Sequence, residues 1–179
     1  MAGSDGSAAG QRFATPPRAL SRAAFLAAHG AVYEHSPWIA EAAFGAGLTE
    51  VHDTAEGLQA AMAEAVETAP RDRQLALLRA HPDLAGRLAI RGELTPQSAS
   101  EQAGAGLDDC SPAEFQRFTA LNEVYKARFG FPFIMAVKGR SRAEILAAFE
   151  RRIGNTPEAE FRTALDEVHK IALLRLRAL

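Results

Sequence analysis

The sequence predicts an all-α fold, a compact single-domain bundle of about six to eight helices. Apolar residues recur at the three- and four-residue spacing of helices, and residues that favour helix starts precede most of these segments. We find no convincing alternation of apolar and polar residues and no repeat period, so the sequence does not indicate a β-sheet. A chain of 179 residues also has the length of one domain, which buries roughly two thirds of its unfolded surface.

The first helices are each predicted by a start signal that precedes apolar residues. Ser21 and Thr54 are capping residues, whose side chains can accept a bond from a free backbone amide. Pro70 opens a third helical segment. The apolar residues are Phe25 and Leu26 in the first segment, Leu58, Met62 and Val66 in the second, and Leu75, Leu77 and Leu78 in the third.

The later helices have stronger start signals. Ser111-Pro112-Ala113-Glu114 and Ser141-Arg142-Ala143-Glu144 are capping boxes, in which serine and glutamate each satisfy a free amide of the first turn. Thr156-Pro157 begins the last helix, because proline is favoured at the first helical position, and this helix is predicted to run to about Ala178.

An extended apolar strip is predicted between two of these helices. Gly130 ends the helix before it, since glycine readily adopts the left-handed conformation found just past a helix end. Pro132 then disfavours a helical conformation at Phe131. We therefore expect Phe131–Ile134 to be extended, with backbone amides free to bind a small polar molecule.

The last helix carries one charged residue on an otherwise apolar face. Arg175 lies at a position where the spacing predicts a residue facing the core, and a buried guanidinium requires an anionic partner. An internal salt bridge or an arginine reaching the surface from a frayed helix end would explain it, as would a bound anionic ligand. The face consists of Phe161, Leu165, Val168, Ala172, Arg175 and Leu179.

His81 and Glu101 are further polar residues in informative positions. His81 is predicted to lie at a helix C-terminus before Pro82, where the helix dipole favours a protonated ring. It could act in proton transfer near its usual pKa of about 6.5, or only bond the last free carbonyls. Ser98 and Glu101 have the spacing of a capping box, but the glycines after them favour a short helical turn beside a cleft.

Composition and charge exclude several classes of partner. Twenty basic and 22 acidic side chains give a net charge of −2, and no basic patch is interleaved with aromatic residues, so we expect no nucleic-acid partner. No apolar run is long enough to span a membrane, and we expect no membrane partner. The histidines and Cys110 lack the spacing of metal ligands, so no metal is expected.

The cysteine content and the two ends of the chain suggest its location and domain limits. A single cysteine fits a reducing compartment, and the N-terminus does not have the pattern of an export signal, so a cytoplasmic location is expected. The stretch at the N-terminus is rich in glycine, alanine and serine. We predict a disordered extension over residues 1–17 and one helical domain over residues 18–179.

Five segments in order, from about Leu20 to the C-terminus, resemble the OHCU decarboxylases. That family acts on 2-oxo-4-hydroxy-4-carboxy-5-ureidoimidazoline (OHCU) in uric acid breakdown. Any one segment is weak evidence, but five in the family's order are specific. They are Glu34-His35-Ser36-Pro37-Trp38, His81-Pro82-Asp83-Leu84-Ala85-Gly86, Ser98-Ala99-Ser100-Glu101-Gln102 with Ala105-Gly106-Leu107, Leu121–Ile134, and Lys170-Ile171-Ala172 with Arg175-Leu176.

The resemblance implies a lyase that removes CO2 from OHCU and forms (S)-allantoin without a cofactor, and it suggests a homodimer. It implies that His81 and Glu101 are catalytic, with Glu101 as the acid, base or orienting partner of His81. A related lyase or hydrolase acting on another ureido or imidazolone acid, and a non-catalytic helical interaction module, are the alternatives. The implied substrate-binding residues are Pro82, Ser98, Gln102, Phe131, Phe133, Ile134 and Arg175.

Overall fold

A computed structural model describes residues 12–85 and 94–179. Within these ranges the chain forms eight α-helices and three short 3-10 helices, which confirms the predicted all-α fold. The α-helices are α1 (Arg22–His29), α2 (Pro37–Gly45), α3 (Ala55–Glu67), α4 (Arg71–Arg79), α5 (Pro96–Gly104), α6 (Pro112–Phe129), α7 (Arg142–Arg152) and α8 (Pro157–Leu176). The 3-10 helices span Pro17–Ala19, Glu50–Asp53 and Leu107–Asp109.

The predicted capping residues begin their helices as expected. Ser21 accepts a hydrogen bond from the backbone amide of Ala24 at the start of α1, and Thr54 accepts one from Gly57 in α3. Ser111 and Ser141 form complete capping boxes with the glutamates three residues later, at the starts of α6 and α7. These signals act within one turn of helix, which is why the sequence alone reveals them.

Helix α5 begins at Pro96, whereas a capping box formed by Ser98 and Glu101 would require it to begin after Ser98. Thr95 is its N-cap, and its hydroxyl accepts a bond from the amide of Ser98, with Pro96 at the first helical position. Glu101 therefore lies inside the helix, where its side chain is available for other contacts. The capping-box alternative is wrong, and the alternative that places Glu101 on a short helix remains.

Helix α8 packs against α3, α4 and α6 and contributes much of the core. The predicted face is buried as far as Arg175, but Leu179 is 66 % exposed because the helix ends at Leu176. At 20 residues α8 is the longest of the described helices. None of them is long and apolar enough to cross a membrane.

The chain before α1 contacts the domain over the part that the structure describes. Arg12 forms an isolated antiparallel bridge with Thr54, and the amide of Phe13 donates a 3.0 Å bond to the carbonyl of Asp53. Residues 1–11 of the expected disordered extension lie outside the described residues. Arg12 and Phe13, within that predicted extension, are bonded to the segment that precedes α3.

Candidate active site

Helices α5 and α8, the turn after α4 and the strip after α6 enclose a cavity of about 30 Å³, here called the inner cavity. Eight of the nine predicted site residues line it, although they come from four separate parts of the chain. The two predicted catalytic residues and the buried arginine are thus brought to one place. The eight are His81, Pro82, Ser98, Glu101, Gln102, Phe133, Ile134 and Arg175.

Phe131 is the predicted site residue that the structure places elsewhere. Its ring is 3 % exposed and packs with Tyr125 and Phe161, with centroid separations of 6.0 Å in both cases. The side chain therefore belongs to the aromatic core and does not line the inner cavity. The predicted role of the strip rests on its backbone, so substrate binding at Phe131 stays a prediction. Phe133 packs in the same core, with its ring 5.4 Å from that of Tyr125 and 3.9 Å from that of Phe149, and it also lines the cavity.

Arg175 is held by two carboxylates. Glu101 accepts from it in a two-pronged arrangement, with 2.6 Å between Nε and Oε1 and 2.8 Å between Nη2 and Oε2. Glu34 Oε2 lies 2.9 Å from Arg175 Nη1. The guanidinium also donates to the hydroxyl of Ser98 and the carbonyl of Val32, each at 3.3 Å. An arginine on an apolar helix face is thus explained, in this state, by an internal ion-pair network beside the cavity.

Glu34 is a member of this network that the sequence analysis did not select. Its side chain is 2 % exposed, against 28 % for Glu101, so it is the interior counter-ion of Arg175. Burial acts to raise the pKa of Glu34, but a 2.6 Å bond from Thr95 and the charge of Arg175 hold that pKa below its usual value. A carboxylate directly after the apolar residues Val32 and Tyr33 was the available sequence signal.

The backbone next to Glu34 adopts an uncommon conformation. His35 has a φ of 46°, in the left-handed region that residues other than glycine adopt uncommonly, with asparagine, aspartate and histidine the most frequent among them. Its own side chain is largely exposed, whereas Glu34 and Ser36 on either side are buried. This left-handed residue lies in the turn between the buried Glu34 and the start of α2 at Pro37.

His81 is a neutral, buried ring in this structure. Its Nδ1 lies 3.0 Å from the carbonyl oxygen of Leu77, which can only accept, so Nδ1 carries the hydrogen and Nε2 keeps a free electron pair. Burial lowers the pKa of His81 to about 4, which outweighs the opposing effects of the Leu77 carbonyl and the Glu34 carboxylate. The sequence predicts that the helix dipole favours a protonated ring, but burial acts in the opposite direction and lowers this pKa.

Glu101 and His81 share the inner cavity without a direct hydrogen bond between them. Both carboxylate oxygens of Glu101 are bonded to Arg175, and His81 is oriented by Leu77 instead. The expected orienting role of Glu101 toward His81 is therefore absent from this state of the site. Glu101 is the partner of Arg175 in this structure.

Gln102 supports the turn that follows His81. Its side-chain oxygen accepts a 3.0 Å bond from the amide of Ala85, and its side-chain nitrogen donates to the carbonyl of Asp83 at 3.3 Å. Asn122 on α6 donates a 3.0 Å bond to the carbonyl of Leu84. The turn carries its own strain, since Ala85 has a φ of 49°. These bonds fix the backbone that presents His81 and Pro82 to the cavity.

A larger outer cavity of about 570 Å³ adjoins the inner one. Its walls are mostly apolar side chains of α1, α5, α8 and the segment after the strip. Glu101, Arg175, Val137 and Ile171 line both cavities, so the Glu101–Arg175 ion pair belongs to the wall between them. A volume of several hundred Å³ is typical of a small-molecule site, whereas the inner cavity has room for about one water.

The fold and this site define a small all-α enzyme, in which an arginine, a carboxylate and a neutral histidine surround a cavity. The sequence profile of the OHCU decarboxylase family matches residues 18–177. The chain is 51 % identical over 152 residues to the 2-oxo-4-hydroxy-4-carboxy-5-ureidoimidazoline decarboxylase of Haloferax volcanii, covering 85 % of this chain and 86 % of that protein. It therefore belongs to the OHCU decarboxylase family, whose members are carboxy-lyases.

Two solved structures have the same fold. A crystal structure of (S)-allantoin synthase aligns with a TM-score of 0.69 at 35 % identity, over 89 % of this chain and 51 % of that one. A crystal structure of OHCU decarboxylase in the presence of (S)-allantoin aligns with a TM-score of 0.64 at 29 % identity, over 81 % of this chain and 92 % of that one. The compact helical bundle predicted from the sequence is the fold of these enzymes.

Proposed function

We propose that this protein decarboxylates OHCU to (S)-allantoin in uric acid degradation. The observation that carries the proposal is the convergence of His81, Glu101 and Arg175 on one cavity, in a chain that belongs to a family of carboxy-lyases. A helical interaction module would have no need to bring these three residues together inside the protein. Their convergence favours an enzyme.

The chemistry of OHCU explains why such a site can work with side chains alone. The leaving carboxylate is attached to a ring carbon whose neighbour is an imine carbon. When the carbon–carboxylate bond breaks, its electron pair forms a double bond to that neighbour, and the imine nitrogen takes up a proton. The resulting enol then loses its hydroxyl proton and gains a proton on the neighbouring carbon, which yields allantoin. The substrate thus supplies its own electron sink, and no pyridoxal or thiamine group is required.

Arg175 is proposed to bind the substrate carboxylate in the place that Glu101 occupies in the free protein. The inner cavity has a volume of about 30 Å³, too small for a ureidoimidazoline, so binding requires side chains to move apart. Glu101 is 28 % exposed and lies in the wall shared with the outer cavity, whereas Glu34 is buried. Glu101 is therefore the partner that leaves, and Glu34 stays as the fixed counter-ion.

His81 and Glu101 are proposed to handle the two proton transfers of the reaction. The neutral ring of His81 has a free electron pair on Nε2, which can accept the proton of the 4-hydroxyl as the enol becomes a ketone. Glu101, released from Arg175, is the second group able to exchange a proton with the substrate. A chiral product requires that the proton reaches one face of the neighbouring carbon, and a site with groups fixed on one side satisfies this.

The remaining predicted residues are proposed to hold the ureido group and ring. Ser98 and Gln102 line the inner cavity with hydrogen-bonding side chains, and Pro82 bounds it next to His81. The strip contributes Phe133 and Ile134, whose backbone amides can bind the carbonyl oxygens of the substrate. A cytoplasmic location, supported by the single cysteine, and a homodimer, suggested by the family resemblance, belong to the same proposal.

The test is to add the protein to freshly generated OHCU and to follow allantoin by circular dichroism. Spontaneous decay gives a racemate without a net signal, so a signal of one sign that scales with protein concentration supports the proposal. A related ureido or imidazolone acid, tested in parallel, distinguishes the alternative lyase or hydrolase by its lower or higher kcat/KM. Racemic allantoin formed at the spontaneous rate would contradict the proposed function.

A further inference from the structure

A second buried ion pair lies outside both cavities. Arg152 at the end of α7 contacts Glu160 in the first turn of α8, with 2.8 Å from Nε and 2.6 Å from Nη2 to Oε1. The Arg152 side chain is 9 % exposed and that of Glu160 is fully buried. Tyr125 and Asn155 also donate to Glu160, which satisfies the carboxylate. A buried ion pair adds little net stability compared with apolar residues. Stability alone therefore does not explain why Arg152 and Glu160 are buried here.

Arg152 reaches from this ion pair to the backbone of the strip. Its Nη1 donates a 2.8 Å bond to the carbonyl of Ile134, and its guanidinium carbon lies 4.4 Å from the ring centroid of Phe133. Both of these residues line the inner cavity, although Arg152 does not line it. One side chain outside the cavity therefore contacts both the backbone of Ile134 and the ring of the residue before it.

The strip is anchored at one of its own residues and at residues just before and just after it. Arg79 donates a 2.8 Å bond to the carbonyl of Gly130, Arg152 binds the carbonyl of Ile134, and Glu167 accepts a 2.8 Å bond from the amide of Ala136. Only the middle anchor acts at a residue of the inner cavity. Among the residues that the structure describes, the amides of 133–135 have no protein acceptor. The anchoring bonds thus hold an extended backbone that keeps donors available.

We infer that Arg152 is a positioning residue, which holds the carbonyl of Ile134 so that the neighbouring amides of the strip are set in advance for the substrate. The inference rests on the proposed function and adds a residue that touches neither substrate nor cavity. A guanidinium can bind Glu160 and a carbonyl at once through its planar fork, whereas the ammonium of lysine cannot match that geometry. Fixing a binding backbone before the ligand arrives lowers the cost of ordering it on binding.

The experiment compares Arg152→Lys with Arg142→Lys. Arg142 is a matched control, because it also joins a glutamate and a carbonyl, with 3.0 Å from Nε to Glu114 and 2.8 Å from Nη1 to Gly106, and lines neither cavity. We expect Arg152→Lys to raise KM for OHCU about tenfold with a smaller change in kcat, since misplacing binding groups weakens substrate binding. Arg142→Lys should keep both constants of the wild-type protein.

A second variant separates positioning from stability. Tyr125→Phe removes the hydroxyl that donates to Glu160 and leaves the bond from Arg152 to Ile134 intact. It should lower the melting temperature while KM is unchanged. An Arg152→Lys variant with wild-type KM, or a Tyr125→Phe variant with an equal rise in KM, would overturn the inference. Wild-type protein that does not convert OHCU would instead overturn the proposed function, and the inference with it.

A measurement on wild-type protein covers the case in which Arg152→Lys does not fold. The backbone amide signals of residues 133–135 are followed by nuclear magnetic resonance while (S)-allantoin is added. The inference predicts shifts of these amides on binding, with backbone order parameters already near the rigid value of about 0.85 before addition. Amides that do not respond to bound (S)-allantoin, or a strip whose backbone becomes rigid only with the ligand, would contradict a backbone set in advance.

Discussion

Arg175 and Glu101 are joined by two parallel contacts, Nε to Oε1 at 2.6 Å and Nη2 to Oε2 at 2.8 Å, in the wall between the inner and outer cavities. The same pair of parallel N–H donors could bind the carboxylate of a ligand in place of that of Glu101. Glu34 lies on the other side of the arginine, so Arg175 would keep one counter-ion in the proposed exchange of Glu101 for a substrate carboxylate. Under that proposal, the closed ion pair is the resting state of a carboxylate site.

Arg175→Lys should fail as an enzyme although the charge is retained. Lysine loses the planar two-pronged donor, and we expect KM to rise by at least about tenfold, in line with the usual strength of a charged hydrogen bond. Steady-state kinetics with OHCU measure this. Arg177→Lys is the control. Arg177 follows Arg175 by two residues and forms an ion pair with Glu56 on the protein surface. Equal KM values for wild type and Arg175→Lys, with only a lower melting temperature, would assign Arg175 a purely structural role.

Glu101→Gln should reduce the rate far more than the stability. Its carboxylate is proposed to exchange a proton with the substrate, and the loss of such a group costs about 10²- to 10⁴-fold in rate. Glu144→Gln is a matched change in a true capping box, and it should leave turnover unchanged. The comparison needs kcat and melting temperature for both variants. A large melting shift with normal kcat in Glu101→Gln would favour a structural carboxylate.

Acid should inactivate the enzyme as His81 becomes protonated, at a pH that depends on Glu34. The pKa of His81 is lowered to about 4 by burial, and the nearby carboxylate of Glu34 raises it in part, while Arg175 and His35 lower it. Removing the negative charge in Glu34→Gln therefore lowers this pKa further, and the acidic limb of kcat/KM moves to lower pH. Glutamine still accepts the bond from Thr95, which preserves the local structure. If the acidic limb of kcat/KM moves to higher pH in Glu34→Gln, or does not move, then Glu34 does not raise the pKa of His81 as described.

The free energy of unfolding should also depend on pH because of the buried His81. The ring has a pKa of about 4 in the folded protein and about 6.5 when unfolded, so the unfolded chain binds more protons between these values. Stability due to the neutral ring is complete above pH 6.5 and is lost as pH falls toward 4, by roughly 3 kcal/mol in total. Denaturant unfolding of wild type and His81→Asn at several pH values measures the difference. Parallel pH curves for the two proteins would show that His81 is not desolvated as described.

Local signals explain why much of the fold was predictable. Ser21, Thr54, Ser111 and Ser141 each cap a helix through a bond to a residue three positions later, so the whole interaction lies within one sequence window. The position of Arg175 on α8 was also predictable, because helical periodicity identifies which side chains face the interior. The start of α5 could have been found in the same way, since Thr95-Pro96 repeats the pattern of Thr156-Pro157.

Long-range contacts explain what the sequence did not reveal. Glu34 meets Arg175 across 141 positions, and no local pattern predicts that pairing. The neutral state of His81 depends on burial by several elements, whereas the sequence showed only a helix end whose dipole favours charge. Phe131 and Phe133 could not be told apart by the pattern of the strip, because only the tertiary structure shows which of them reaches the cavity.

The central claim is that the inner cavity carries out the chemistry through His81, and one measurement tests it most directly. OHCU is generated in the presence of wild-type or folded His81→Asn protein, and the circular dichroism of allantoin is recorded over time. The proposed mechanism predicts a strong signal of one sign for wild type and, for the variant, a rate lowered by about 10²-fold or more, so that allantoin is close to racemic. A folded His81→Asn protein that forms optically active allantoin at nearly the wild-type rate would contradict this mechanism.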